Sequence, residues 1–167
     1  VGTLESYCEV RIVPSEGTGG ILQAKNILIS TGSKPRRPKE IPFDGWRVVD
    51  SDDLLNLDTL PKSILIYGAG AIACEYACIF ASLGVEVIVC EERKQILQSL
   101  DQEMAGELRK SMEDLGIIFY LDVIFEGVEI VESATKARFS GKEFHSEMFY
   151  YAAGRISCSE YLGVSKL

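Results

Sequence analysis

The residues with the clearest chemical meaning are Gly68, Gly70 and Ala73, which fit the pattern G-x-G-x-x-G/A in the stretch YGAGAIACEY. Gly68 permits a tight turn, Gly70 has no Cβ and lets a pyrophosphate approach the backbone, and the small Ala73 allows a helix to pack closely on a strand. A helix starting at Ala71 and Ile72 would offer free N–H groups and its positive dipole end to the phosphates. The pattern predicts a dinucleotide-binding turn, and its alternative is a tight turn between a strand and a helix.

A carboxylate follows at the spacing that such a turn requires. Glu91 ends a second predicted strand roughly 20 residues beyond the first glycine, where an acid accepts hydrogen bonds from both ribose hydroxyls of an adenosine. The alternatives are a solvated charge at the strand end, or Glu92 in the same role. An acid here repels a 2′-phosphate and favours NAD(H) over NADP(H), although Arg93 and Lys94 follow at once and could reach such a phosphate.

Glu75 is unusual because it lies among small and aromatic residues just after the glycine turn. We consider two roles for it. An acid in the first turn of a helix is favoured by the helix dipole. Alternatively, Glu75 reaches the nicotinamide end of a bound cofactor.

The composition excludes several classes of function. The formal net charge of −8 and the pI near 4.8 argue against a nucleic-acid or anionic-membrane surface, which needs clustered Lys and Arg. The one basic cluster, SKPRRPK, is short and broken by proline, so it indicates a solvated linker. No apolar run approaches the roughly 20 residues that span a bilayer, and the first residues do not resemble a signal peptide. We therefore expect a cytoplasmic protein.

The cysteines do not suggest a metal site. Five are present without a Cys-x-x-Cys pair, which fits a reduced protein. Cys74 and Cys78 could share a helix face, but a metal would need more ligands and His145 is the only histidine. We interpret the two cysteines as small buried residues and His145 as an exposed one.

From Ser51 onward the sequence predicts an α/β domain with a parallel sheet. Ser51 is the expected N-cap of a short helix that stops before Pro61. The runs SILIYG, VEVIVCE and IIFYL predict three strands, and the two segments between them predict helices, which gives a Rossmann-like βαβαβ unit with right-handed crossovers. Helical spacing predicts that the first helix buries Ile72, Tyr76, Ile79, Phe80 and Leu83 and ends at Gly84; the second has Asp101 as N-cap and Gly116 as its stop.

The flanking segments predict strands without helices. After residue 122, three extended segments with a turn at Ser140-Gly141 predict an antiparallel β-meander in place of a second helical crossover. The first forty-odd residues, including SYCEVRIV and ILQAKNILIST, also predict strands, and the Gly- and Pro-rich segment that follows them marks a domain boundary. This leading piece is too small for a core of its own, so we expect it to be part of a larger domain.

Several motifs, in this order, resemble those of one family. ISTGSKPRRP, SDDLLNLDTLPKSILIYGAGAIACEYACIFASLGVEV, LDQEM and YYAAGR are similar to the FAD-dependent pyridine nucleotide-disulfide oxidoreductases, which include lipoamide dehydrogenase and glutathione reductase. Within that family, IYGAGAIACEYACIFASLG and LDQEM most resemble the soluble pyridine nucleotide transhydrogenases. The resemblance covers nearly the whole chain.

The resemblance implies an organisation in domains. Residues 1–45 would be the incomplete C-terminal part of an FAD-binding domain, residues 46–155 an NAD(P)-binding domain, and residues 156–167 the start of a return to the FAD domain. The parent enzyme would be a homodimer. The FAD fingerprint, the redox-active cysteine pair and the C-terminal catalytic histidine of the family are missing, so we expect a fragment that binds NAD(H) without catalysing.

The resemblance also implies roles for individual residues. Gly68, Gly70 and Ala73, with Ala71 and Ile72 between and beside them, would hold the pyrophosphate of NAD(H) or NADP(H), and Glu91 would hold the ribose. Glu75 and Gly154 match family residues beside the nicotinamide. Thr31 and Gly32 match a stretch beside the flavin of FAD.

The implied chemistry is hydride transfer between NADPH and NAD through FAD. Two alternatives stay open. A disulfide reductase such as lipoamide dehydrogenase would share this part of the chain and differ in its redox cysteines. A non-catalytic NAD(H)-binding module would be monomeric and respond to the NADH/NAD ratio without flavin, but the partnerless apolar residues Ile27, Leu28 and Ile29 argue against it.

Overall fold

The structure is a computed structural model that describes residues 1–164. The chain divides into two compact units, one formed by residues 1–34 with the described residues from 155 onward, and one formed by Pro35–Gly154. The elements in chain order are β1 (Gly2–Ser6), β2 (Glu9–Ile12), β3 (Gly20–Gln23), β4 (Ser33–Pro35), β5 (Val48–Val49), β6 (Ser63–Tyr67), α1 (Ala71–Ser82), β7 (Glu86–Glu91), α2 (Gln102–Asp114), β8 (Ile118–Leu121), β9 (Phe125–Val131), β10 (Ala134–Phe139), β11 (Lys142–Ser146), β12 (Met148–Tyr151) and β13 (Arg155–Ser157).

The first unit consists of strands and one short 3₁₀ helix at Glu160–Leu162. Strands β1, β2 and β3 form an antiparallel sheet in that order, and β4 pairs with β13. The stretch SYCEVRIV was expected to be one strand, but a turn at Tyr7–Cys8 divides it into the ends of a hairpin. Leu28 is 91% exposed, so the apolar run after β3 is not buried within this unit.

The second unit is built on a five-stranded parallel sheet in the order β5-β12-β6-β7-β8. Its central strands are apolar runs because both faces are covered, by helices on one side and by the meander on the other. The predicted βαβαβ unit is confirmed as β6, α1, β7, α2 and β8. The sheet residues alternate between two cores, with Ile64 and Ile66 on the helix face and Leu65 and Tyr67 on the meander face.

Helix α1 packs on the sheet through its small residues. Ala73, Cys74, Ala77 and Phe80 are its buried residues. Of the face predicted from helical spacing, Phe80 is buried, but Ile72, Ile79 and Leu83 are 37%, 50% and 56% exposed. That prediction was wrong for these three residues, because close packing of this helix on its strand selects small side chains over large ones.

Three predicted helix ends are confirmed: the start of α2 at Asp101 and the ends of α1 and α2 at Gly84 and Gly116. Asp101 accepts the N–H groups of Glu103 and Met104 at the start of α2. Gly84 and Gly116 follow α1 and α2 with φ of +82° and +90°, the left-handed conformation that ends a helix.

Ser51 does not cap a helix, contrary to the expectation. The short helix is a 3₁₀ turn at Asp53–Asn56, and the Asp50 carboxylate accepts the N–H groups of Asp52 and Asp53 at 2.8 and 3.1 Å. Asp50 is buried, and Arg37 Nε donates to its other oxygen at 2.5 Å. One buried carboxylate therefore bonds both the start of the 3₁₀ turn and the guanidinium of Arg37.

The meander is confirmed for its first two segments and corrected for the third. Strands β9, β10 and β11 form an antiparallel sheet, and Ser140 and Gly141 turn between β10 and β11 with φ of +47° and +75°. The third segment leaves the meander. As β12 it enters the parallel sheet between β5 and β6, because the wholly buried run Met148–Tyr151 has no polar face to turn toward water.

The first segment of the first compact unit ends at Lys34, and the residues that follow it belong to the second unit. Ile41 is buried, and the ring of Phe43 lies edge-on to that of Tyr151 at 5.7 Å. The division into domains of a longer enzyme at residues 1–45, 46–155 and 156–167 stays a prediction, and residues 165–167 of the expected return segment lie outside the described residues.

Candidate dinucleotide-binding site

A crevice opens where β6, β7 and β12 end at the same edge of the parallel sheet. The chain proceeds from β6 to β7 and β8 on one side, whereas β12, with β5 beyond it, lies on the other side of β6. This edge is therefore the topological switch point at which open α/β sheets bind their ligands. The crevice has a volume of about 290 Å³ and is lined by Tyr67, Gly68, Ala69, Gly70, Glu91, Glu92, Arg93, Ala152, Ala153 and Gly154. Four of the predicted site residues, Gly68, Gly70, Glu91 and Gly154, therefore lie together.

Gly68 sits where two strand ends come closest. Its φ is +110°, and a Cβ on it would lie 2.8 Å from the carbonyl oxygen of Ala152 and 3.2 Å from the nitrogen of Ala153. A side chain would therefore clash with the backbone that follows β12. Gly68 is required by the crevice wall as well as by the turn.

Gly70 is different, because a Cβ on it would meet nothing within 4 Å. It is the N-cap of α1, and no side chain caps the helix. The first backbone bond of the helix joins Cys74 N–H to Gly70 O at 3.0 Å, which leaves the N–H groups of Ala71, Ile72 and Ala73 ahead of it. Open space in front of a helix N-terminus is what a pyrophosphate needs, so these residues fit one.

Glu91 is buried and holds the glycine turn in place. Its Oε2 accepts the N–H of Ala69 at 2.8 Å, and its Oε1 accepts the N–H of Arg93 at 3.0 Å. An ionised carboxylate has about four acceptor positions, so each oxygen keeps capacity for a ribose hydroxyl. Glu91 thus fits the ribose role and fixes the turn through the same group.

Glu92 also lines the crevice, but its carboxylate is directed to the meander face of the sheet. Its Oε1 accepts the hydroxyl of Tyr67 at 2.8 Å and lies 3.5 Å from the N–H of Phe125 at the start of β9. Burial, with the Glu92 hydrogen bond second, raises the pKa of Tyr67 well above its usual value, so the phenol stays protonated as the donor. These bonds favour Glu91 over Glu92 as the acid beside the ribose.

Arg93 contributes the positive charge of the crevice. Its backbone is held on both sides, since its N–H bonds Glu91 and its carbonyl accepts the N–H of Asp122 at 3.0 Å. The side chain is exposed, and within residues 1–164 it has no ion-pair partner. Lys94 is exposed and does not line the crevice.

The other predicted site residues lie outside the crevice. Ala73 lies on the buried face of α1 and is 1% exposed. Ala71 and Ile72 are exposed at the start of the same helix. Thr31 and Gly32 belong to the first unit, where the Gly32 carbonyl accepts the N–H of Cys158 at 2.9 Å. Their predicted contact with FAD is not tested by this geometry and stays a prediction.

Glu75 lies in a second, apolar groove of about 540 Å³ between α1 and α2, with Cys78, Ile79, Leu108 and Met112 among its neighbours. It is the fifth residue of α1, whose first turn contains no acidic residue. The dipole explanation for Glu75 was therefore wrong, because the effect falls off within the first turn. A nicotinamide contact stays a prediction.

Sequence reasoning did not assign Tyr67, Ala152 or Ala153 to the site. The aromatic residue before the first glycine of the turn was the available signal for Tyr67. No local signal marks Ala152 and Ala153, since they reach the crevice only through the pairing of β12 with β6.

Of the two cysteines interpreted as buried residues of α1, Cys78 is only half-buried and lines the apolar groove. Cys74 is buried and its thiol donates to the carbonyl of Ala69 at 3.6 Å. Burial, with the neighbouring Cys78 second, raises the pKa of Cys74 to about 11. Among the described residues, no cluster of three or more His, Cys, Asp or Glu side chains is placed to hold a metal ion. The same part of the chain contains no helix with the length and hydropathy of a membrane span.

A nucleotide-binding Rossmann-like sheet with a glycine turn at its switch point defines the class of protein, and comparison with known families agrees. Residues 3–166 match the family described as "Pyridine nucleotide-disulphide oxidoreductase". The chain belongs to this family.

Curated relatives with similar sequences are soluble pyridine nucleotide transhydrogenases. The chain is 38% identical to the soluble pyridine nucleotide transhydrogenase of Yersinia enterocolitica over 154 residues, and 37% identical to that of Yersinia pestis over 159 residues. These matches cover 92% and 95% of this chain but 33% and 34% of the relatives. The chain thus spans about a third of the length of the curated relatives it matches.

Solved structures agree on the fold. A cysteine-to-serine variant of the HOCl-induced flavoprotein disulfide reductase RclA from Escherichia coli, in its Cu(II) complex, matches 97% of this chain with a TM-score of 0.77 and 26% identity; 38% of the RclA chain is covered. LpdA from Mycobacterium tuberculosis matches 99% with a TM-score of 0.86 and 21% identity, over 38% of its chain. The second likeness concerns the fold alone.

Proposed function

We propose that this chain is the nicotinamide-dinucleotide-binding part of an FAD-dependent soluble transhydrogenase, which passes hydride between NADPH and NAD. The observation that carries the proposal is the crevice at the switch point, where Gly68, Gly70, Glu91 and Gly154 lie together. The identity of 37–38% with soluble pyridine nucleotide transhydrogenases over more than nine tenths of the chain supports this reaction within the family.

The chain's own residues bind and orient the cofactor. The N–H groups at the start of α1 receive the pyrophosphate in the space that Gly70 leaves open. Glu91 accepts the ribose hydroxyls at the end of β7. The adenosine half is then fixed at β7, and the nicotinamide half extends past Gly154, whose carbonyl is bonded by the N–H of Arg36 at 3.1 Å.

The hydride chemistry belongs to the cofactors, and FAD supplies the acceptor and donor of hydride when it is bound. Thr31 and Gly32 would lie beside the flavin, and Glu75 beside the nicotinamide, as the family resemblance implies. We assign no catalytic residue to the chain. The parent enzyme is proposed to be a cytoplasmic homodimer.

The test uses the full-length parent, purified with FAD and without any disulfide substrate. We expect NADPH to reduce a spectrally distinct NAD analogue with turnover. The variant Gly70→Ala should abolish most of this turnover, while Gly106→Ala, at an exposed glycine in α2 with open space around it, should retain it. Absence of turnover in the wild-type protein would contradict transhydrogenation.

A disulfide reductase is the second candidate, and the likeness to RclA at 26% identity favours it. The same preparation distinguishes the two. Oxidation of NADH that begins only when lipoamide or another disulfide is added would establish reductase activity and leave the assignment of the crevice intact. Binding of NADH without FAD and without either activity would instead support a non-catalytic binding module.

A further inference from the structure

Two neighbouring carboxylates at the end of β7 diverge to opposite faces of the sheet. Glu91 turns toward the glycine turn on the helix face, where it accepts the N–H of Ala69. Glu92 turns toward the meander face, where it accepts the hydroxyl of Tyr67 at 2.8 Å. Only the first of them is therefore held beside the turn where the ribose would lie.

Tyr67 is a rigid anchor for Glu92. Its side chain is 9% exposed, and its ring stacks on that of Phe125 with centroids 4.5 Å apart and an interplanar angle of 19°. The hydroxyl is thereby fixed on the meander side of the sheet, where it bonds Glu92. Both hydrogen bonds to Glu92, from Tyr67 and from Phe125 N–H, draw this carboxylate toward the meander.

The third residue of the set is Arg93. It lines the crevice with an exposed guanidinium, and within the described part of the chain no carboxylate neutralises it. Its backbone is fixed by Glu91 and Asp122. The backbone of Arg93 is fixed, its guanidinium is exposed, and a carboxylate proposed to bind the ribose is nearby. This arrangement suits a 2′-phosphate.

We propose that Tyr67 makes the crevice accept both NAD(H) and NADP(H), by holding the Glu92 carboxylate away from the ribose so that Arg93 can receive a 2′-phosphate. Tyr67 is thus a positioning residue and Arg93 the residue that contacts the phosphate. The inference rests on the proposed function, since a transhydrogenase with one nicotinamide site must accept both ribose forms there.

The experiment uses two redox-inert ligands that differ only in the phosphate, ADP-ribose and 2′-phospho-ADP-ribose. Their binding to the full-length FAD-loaded protein is measured by isothermal titration calorimetry. We expect the wild-type protein to bind both with dissociation constants within about tenfold of each other. Arg93→Gln should weaken 2′-phospho-ADP-ribose by about tenfold, an effect on the order of one partly exposed charge pair, and leave ADP-ribose within about twofold.

The positioning role is tested by a double-mutant cycle. Tyr67→Phe removes the hydrogen bond and frees the Glu92 carboxylate, so 2′-phospho-ADP-ribose should bind about tenfold more weakly while ADP-ribose is little affected. The double variant Tyr67→Phe/Glu92→Gln should regain the wild-type affinity, because the released side chain is then neutral. Lys110→Gln, at an exposed residue of α2 outside the crevice, is the control for loss of a positive charge and should change neither affinity.

Binding of ADP-ribose without measurable binding of 2′-phospho-ADP-ribose would overturn the inference and leave the proposed crevice standing. An equal loss for both ligands in Tyr67→Phe, with no recovery in the double variant, would also overturn it. If Tyr67→Phe folds poorly, Glu92→Asp at an exposed position replaces it, because the shorter side chain loses the bond to the Tyr67 hydroxyl and should likewise weaken 2′-phospho-ADP-ribose alone. Binding of neither ligand to the wild-type protein would instead contradict the dinucleotide site itself.

Discussion

A Cβ on Gly68 would lie 2.8 Å from the carbonyl oxygen of Ala152, although the two residues are far apart in the sequence. The backbone that follows β12 therefore lies directly against Gly68, and it forms one wall of the crevice. Gly68 is therefore needed for the packing of the protein itself, whereas Gly70 leaves space for a ligand. Substitutions at the two positions should have different effects.

Gly68→Ala should destabilise the protein. The substitution adds strain at a φ of +110° and a backbone clash at 2.8 Å, which together cost about 2–5 kcal/mol. Urea unfolding of the full-length protein should show the loss as a lower midpoint. A midpoint equal to that of the wild type would mean that the backbone after β12 moves freely, and that the close approach is not a constraint.

Gly70→Ala should leave stability nearly unchanged and weaken cofactor binding. Its φ of −75° suits any residue, and a Cβ would meet no protein atom within 4 Å. Glycine is preferred over alanine at an N-cap, so the cost is about 0.5–1 kcal/mol, well below the cost expected for Gly68→Ala. The new methyl group would occupy the space in front of the helix N-terminus, so the dissociation constant for NADH, measured by fluorescence titration, should rise at least about tenfold. Unchanged binding would place the pyrophosphate elsewhere.

Glu91→Gln tests whether one carboxylate serves both the turn and the ribose. The N–H groups of Ala69 and Arg93 bond different oxygens of Glu91, and glutamine replaces one of those oxygens with an NH2 donor, so one of the two backbone groups loses its acceptor. We expect a loss of about 1–3 kcal/mol in the free energy of unfolding, together with weaker binding of ADP-ribose. Glu86→Gln, at the exposed first residue of β7, is the control. A stability equal to that of the control would show that the two backbone bonds contribute little.

The Asp50–Arg37 pair should make stability depend on pH in the acid range. Burial raises the pKa of Asp50, but the bonds from Arg37 and from the N–H groups of Asp53 and Asp52 outweigh it, so the pKa lies below its usual value. The ionised form then contributes stability above the unfolded-state pKa of about 3.9, and this contribution is lost as pH falls through the lower folded-state pKa.

Arg37→Gln removes the ion pair and should lower the free energy of unfolding at pH 7 by about 1–3 kcal/mol. It should also reduce the loss of stability between about pH 4 and pH 2, because Asp50 then titrates closer to its unfolded value. Urea unfolding at several pH values measures both effects. Lys39→Gln, at an exposed neighbour, should behave as the wild type. An identical acid slope in both variants would contradict the assignment.

Structural features that depend only on neighbouring residues in the chain were predictable from the sequence. The glycine turn followed by α1, the N-cap at Asp101 and the stop at Gly116 depend on a few neighbouring side chains and on backbone conformation. The opposite orientation of Glu91 and Glu92 follows from the alternation of side chains along a strand, but the hydrogen bond from Tyr67 to Glu92 depends on a neighbouring strand and was not predictable.

Features that depend on distant pairing were missed. Met148–Tyr151 was assigned to the meander because its apolar run follows two antiparallel segments directly, yet it pairs in parallel with β6. Ile72, Ile79 and Leu83 have helical spacing, but spacing alone cannot show that the sheet accepts only the small side of α1. Asp50, and not Ser51, accepts the N–H groups at the start of the 3₁₀ turn, and the same carboxylate also bonds Arg37.

The position of β12 has a consequence for synthesis on the ribosome. The strand lies between β5 and β6 but is translated after both, nearly at the end of the unit. A nascent chain that stops before Met148 leaves the β6 edge open and β5 without the strand it pairs with. The crevice wall at Ala152 and Ala153 is then also absent. The crevice proposed to bind the nucleotide is therefore completed late in translation, by insertion of a strand into a sheet whose other strands are already made.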